Sequence, residues 1–130
     1  MIELAKDSLD LGIVVGDIKT SLNFYQNILG LKFVEEMPVP AGKMYRLKVG
    51  SSDFKLIDLH TKPPKGPTGL ESQLGFRYVT FVIKNLSKLC IELRSKGIEF
   101  VMTEKEVRPG VHIAMIKDPD GNIVEFAERS

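Results

Sequence analysis

The chain has no tryptophan and a single cysteine, Cys90, among its 130 residues. One cysteine excludes an intrachain disulfide and any metal site built on a cysteine cluster. No apolar run approaches the roughly 20 residues that a membrane-spanning helix needs. The opening MIELAKDSLD also lacks the basic segment and long apolar stretch of a targeting sequence. Nor is there an excess of one charge: 18 basic residues against 17 acidic ones leave a net +1, so composition carries no footprint of a nucleic-acid or membrane partner. These absences lead to the expectation of a cytoplasmic protein that meets a small molecule. What is present is a 43% hydrophobic fraction, enough for one ordinary domain or two small modules sharing a core.

The chain also contains a repeat. Residues 10–34, DLGIVVGDIKTSLNFYQNILGLKFV, match residues 78–101, YVTFVIKNLSKLCIELRSKGIEFV, with one residue fewer in the second copy. Each copy opens with a β-rich run and reaches a helix-capping residue, Asp17 or Asn85. Apolar residues then recur at helical spacing, Ile18, Leu22, Tyr25 and Leu29 in one copy and Leu86, Leu89, Cys90 and Leu93 in the other. Gly30 and Gly97 supply the left-handed stop. Further on, KLIDLH (55–60) matches NIVEFA (122–127), which sets Asp58 on Glu125. The expected organisation is a single domain over 1–130, with a strand, a helix and three strands in each of two repeats. The repeats run about 8–60 and 76–128, and a Pro- and Gly-rich linker, 61–75, joins them.

One residue of the second copy stands out. In KDPDGNIVEF the turn chemistry of Asp118 to Gly121 predicts a strand from Asn122 onward, and Glu125 is set between Val124 and Phe126. On an edge strand that carboxylate would lie in water; on a strand covered on both faces it would be held where charge is costly. If the repeats pair about a local twofold axis, Asp10, Asp58, Tyr78 and Glu125 converge on one shared curved sheet. His60 shares a strand face with Asp58, and His112, in VHIAMIK, is a further candidate for that surface.

Together, the duplication and the phrases GDIKTSLNFYQNILGLKF and DPDGNIVEF resemble the vicinal oxygen chelate superfamily, from about Leu9 to Glu128. That superfamily includes glyoxalase I, extradiol dioxygenases and bleomycin-resistance proteins. The resemblance implies an α+β fold, two tandem βαβββ modules forming a curved, cup-like mixed sheet with helices outside, commonly in a homodimer. It implies metal ligands on the first and last strands of each module, here Asp10, Asp58 and Glu125. Tyr78 and Glu125 become the catalytic candidates, and His60 and His112 the substrate-binding ones.

The matched positions depart from the glyoxalase pattern, since both usual histidines are replaced, by Asp10 and Tyr78. Oxygen ligands favour Mg²⁺ or Mn²⁺ over Ni²⁺ or Zn²⁺. The implied activity is a lyase or isomerase reaction on a small oxygen-rich metabolite through a metal-stabilised enediolate. The alternative is a metal-free sequestering protein of the bleomycin-resistance type. Val14 occupies the position of the arginine that glutathione-dependent members tend to carry, which argues against lactoylglutathione lyase activity itself.

Overall fold

In a computed structural model describing residues 1–130, the β-rich run after Asp10 becomes strand β1, Leu11–Val14. Asp17 then caps helix α1, Ile18–Leu22, its carboxylate accepting from the Lys19 amide at 3.0 Å. The helix continues as a π-helical segment, Asn23–Ile28, whose wider turn takes up the one residue by which the first copy exceeds the second. Three strands follow: β2, Lys32–Val39; β3, Gly42–Val49; and β4, Ser52–Leu59. They form one mixed sheet in the order β1-β4-β3-β2, with β1 and β4 parallel and the other pairs antiparallel.

The second copy repeats the plan with strand β5, Tyr78–Val82, helix α2, Leu86–Ser95, and strands β6, Phe100–Arg108, β7, Val111–Lys117, and β8, Ile123–Arg129. Its sheet runs β5-β8-β7-β6, again with only the first and last strands parallel. The chain divides accordingly into a first unit, Met1–Pro64, and a second, Lys65–Ser130. The architecture is α+β, two tandem βαβββ modules.

Each sheet covers one face with its own helix. In the first unit Tyr25 of the π-helical segment packs on Phe54, ring centroids 4.7 Å apart, over buried Leu47 and Leu56. In the second, Leu86, Cys90 and Leu93 of α2 are buried, and Phe81 stacks on Phe126 in the sheet below. Gly30 and Gly97 have the positive φ expected of them, 84° and 71°. The second cap differs from expectation. Asn85 makes no side-chain cap bond; Glu128, reaching up from β8, accepts from the Leu86 amide at 2.7 Å instead. A carboxylate from the sheet thus satisfies the helix end and fixes α2 to β8.

Candidate functional site

Glu125 owes its position to the turn before it. The Asp118 carboxylate accepts from the amides of Asp120 and Asn122, at 2.9 and 2.8 Å, and from the Asn122 side chain at 2.9 Å. Gly121 has φ of 88°, the left-handed backbone that favours glycine, and a Cβ there would also press on the Thr68 side chain at 3.0 Å. The turn delivers β8 into the middle of its sheet, between β5 and β7. The edge-strand alternative for Glu125 is therefore excluded.

Register places Glu125 opposite Thr80 on one side and Met115 on the other. Its strand-face neighbours Ile123 and Ala127 are buried, as are Ile113 and Met115, and Leu70, Met102 and Val111 pack against that cluster. This is the face away from α2, because Glu128, which reaches the helix, lies on the other one. Within this apolar surround Glu125 is half-buried and accepts a hydrogen bond from the Thr80 hydroxyl at 2.7 Å. No cation lies against it, whereas Asp10, Asp53 and Asp58 are each ion-paired. Tyr78 shares the face, two residues before Thr80 and in register with Ile123, and is 55% exposed. The second unit thus sets its two catalytic candidates on one face.

The first unit does not. Asp10 stands one residue before β1, where its carboxylate accepts from the Asp53 amide at 2.8 Å and pairs with Lys6 at 2.6 Å. Those two bonds hold its pKa below the usual carboxylate value. Asp58 lies near the far end of β4, five residues beyond Asp53, or roughly 16 Å along the strand at about 3.3 Å per residue. It points to the face that bears Phe54 and Leu56, and it pairs with Lys62. Two ligands of one ion sit within a few Å of each other, so Asp10 and Asp58 do not fit a shared metal. Within neither unit do three His, Cys, Asp or Glu side chains converge as metal ligands would.

Strand pairing explains why Asp58 fails to mirror Glu125. Gly12, which the repeat matches to Thr80, is paired with Lys55, as Thr80 is with Glu125. The backbone bonds agree: Val15 donates to Ile57 and Ile83 to Ala127. Lys55, not Asp58, therefore occupies the position of Glu125, and the register counterpart of Asp58 is Glu128. The displacement is three residues. Phe33 corresponds to Phe100, but Val39 corresponds to Arg108, because β6 carries more bulges than β2 and absorbs two extra residues. The connection before β8 adds the third.

His112 and Glu125 do not share a strand face. His112 is on the opposite face of its sheet, in register with Glu128, with Nε2 3.5 Å from Glu106. His60 is exposed just beyond β4, and its amide donates to the Ala41 carbonyl. Cys90 is fully buried under α2, and burial pushes its thiol pKa up, which leaves it a core residue and not a nucleophile. What sequence reasoning missed was Lys55 and the Arg46, Lys48 and Asp53 cluster beside it; the alternation of DFKLIDL contained Lys55, but only strand register shows its counterpart.

Comparison with known proteins agrees with the fold. The probable lactoylglutathione lyase of Synechocystis sp. is 29% identical over 122 residues, covering 91% of this chain and 92% of that one. Among solved structures, SMU.1112c superposes with a TM-score of 0.83 at 23% identity, over 96% of this chain and 100% of that one. TnmS3, an antibiotic binding protein from Streptomyces sp. CB03234, does so with a TM-score of 0.72 at 21% identity, over 98% and 100%. The family model for the Glyoxalase/Bleomycin resistance protein/Dioxygenase superfamily matches residues 8–126, both copies of the repeat included, and the chain belongs to that superfamily.

Proposed function

We propose that the chain is a glyoxalase-type lyase or isomerase acting on a small oxygen-rich metabolite, with Glu125 as the group that takes and returns a proton. The observation that carries this reading is a half-buried carboxylate on a central strand, set among apolar side chains, with no cation to neutralise it and a neutral hydroxyl to orient it. A carboxylate so held is suited to remove a proton from carbon beside a carbonyl and to deliver it to the neighbouring atom. Thr80 fixes which lone pair faces outward, and the Tyr78 hydroxyl is a donor for the oxygen on which negative charge develops. The lyase names of the curated relatives support this class of reaction.

In superfamily members that carry one, a divalent metal supplies Lewis acidity for such an oxyanion. The first unit's residues do not fit that role, so the proton step is assigned to Glu125 alone. A second reading is a metal-free binding protein. It is favoured by Lys55 standing where a ligand carboxylate would be needed, and by the structural likeness to an antibiotic binding protein.

The deciding experiment is Glu125→Gln assayed against a panel of α-hydroxycarbonyl compounds, with unfolding followed in parallel. Loss of turnover in a protein that unfolds like wild type supports the enzyme. A fully active Glu125→Gln variant overturns the assignment. Calorimetric titration of stripped protein with Mg²⁺ and Mn²⁺ tests the implied cofactor independently.

A further inference from the structure

The first unit presents a face that the proton chemistry above does not use. Opposite its helix, β4 aligns Asp53, Lys55 and Ile57, with Lys48, Arg46 and Met44 beside them on β3 and Gly12 and Val14 on β1. Asp53 is 7% exposed and is held by Arg46 Nη1 at 2.7 Å and Lys48 Nζ at 2.6 Å. Arg46 also meets Glu35, Nε to Oε1, at 3.3 Å, and Asp10 is taken by Lys6. Each acid of this region is thus spoken for by another cation. Lys55 is left over: it lies on a central strand, half-buried, and no carboxylate is paired with it.

The space beside Lys55 is open. Its β1 neighbour is Gly12, where a Cβ would meet only Ile57 Cδ1, at 3.5 Å, and its β3 neighbour is Arg46. A lysine with no ion pair of its own, beside a position without a side chain and an arginine already shared between Asp53 and Glu35, with Ile57, Val14 and Met44 supplying apolar surface, has the make-up of an anion site. A lysine ammonium provides the charge, and the absent side chain provides the approach.

We propose that Lys55, with Arg46 beside it, binds the carboxylate or phosphate group of a small ligand on the open face of the first unit. Equivalent strand positions of the two units thus carry opposite charges, Lys55 in one and Glu125 in the other. This goes beyond the reading above and stands on the first unit alone; the class of molecule it names is an organic anion with an apolar flank.

The test is an amide NMR titration of the full chain with oxalate and, separately, with inorganic phosphate at constant ionic strength. Saturable shifts at Gly12, Arg46 and Lys55, weakened about tenfold or more in Lys55→Gln and retained in Lys55→Arg, support the site. Preference for oxalate identifies a carboxylate ligand; preference for phosphate identifies a phosphorylated one. No saturable shift with either anion, shifts confined to other faces, or a Lys55→Gln protein titrating as wild type would overturn it. Gly12→Val, which the backbone accommodates, should obstruct the site while Lys55 stays in place. Glu125→Gln should leave the titrations unchanged, so failure of the catalytic reading and failure of this one are told apart.

Discussion

The two units share a plan and a strand order, yet only the second sets a free carboxylate at its centre. Lengths of helix and strand account for the difference. The first unit spends an extra residue as a π-helical turn; the second spends its extra residues on bulges in β6 and on the loop before β8. Because side chains alternate along a strand, an odd shift reverses the face a residue occupies. Asp58 and Glu125 match as motifs while facing opposite ways with respect to their own helices. A duplicated fold can thus keep its shape and still give its two halves different chemistry.

The comparison can be broken most directly at Glu125. Replacing it with Gln is expected to lower kcat/KM by about 10²- to 10⁴-fold, the usual worth of a positioned acid or base. Asp58→Asn should leave turnover near wild type. Equal losses from the two substitutions, measured under the same conditions, would restore the motif match as the better guide.

Equivalence of the cores is tested by truncating register counterparts. Leu47 and Ile116, which pair with Phe33 and Phe100 respectively, are both fully buried. Leu47→Ala and Ile116→Ala should each cost about 2–5 kcal/mol in denaturant unfolding. A small cost in one unit alone would show that its core closes over cavities that the other cannot.

Smaller effects distinguish the helix caps. Asp17→Ala in the first unit and Glu128→Ala in the second should each cost about 1 kcal/mol, since each removes an acceptor from a helix N-terminus. Glu128→Ala should also loosen α2 against β8, seen as faster amide exchange at Leu86, whereas Asp17→Ala acts only within its own helix.

The weakest effect is acid sensitivity in the first unit. Lys48 beside Asp53, and the Asp53 amide and Lys6 beside Asp10, lower both carboxyl pKa values in the folded state from 3.8. The folded protein binds fewer protons than the unfolded chain, so this contribution is complete above the unfolded value and is lost as pH falls below about 4. Asp53→Asn should flatten the acid side of a plot of stability against pH.

Much of this was legible in the sequence, and what was not shares one cause. The repeat, both glycine stops, the Asp17 cap and the turn that aims Glu125 are local chemistry, encoded within a few residues. Bulges leave no such mark: nothing in FVMTEKEVR announces that the strand swallows extra residues, so the register of Asp58 was read three positions off. The Leu86 cap was hidden similarly, because its acceptor, Glu128, lies 42 residues away and on another element. Lys55 read as an ordinary alternating strand residue until its pairing with Gly12 was known.

The parallel pairing of first and last strands also sets an order of assembly. Short connections join β2, β3 and β4 in the first unit and β6, β7 and β8 in the second, but β1 must wait for β4, and β5 for β8, across nearly the whole unit. Long loops are costly to close before their contacts exist, so the first strand of each unit is the last to dock and the first to leave. Native-state hydrogen exchange should find β1 and β5 opening at lower free energy than β3 and β7. Gly12 and Thr80 both lie on these late strands, so Lys55 and Glu125 meet Arg46 and Met115 early but acquire Gly12 and Thr80 only in the final step of folding.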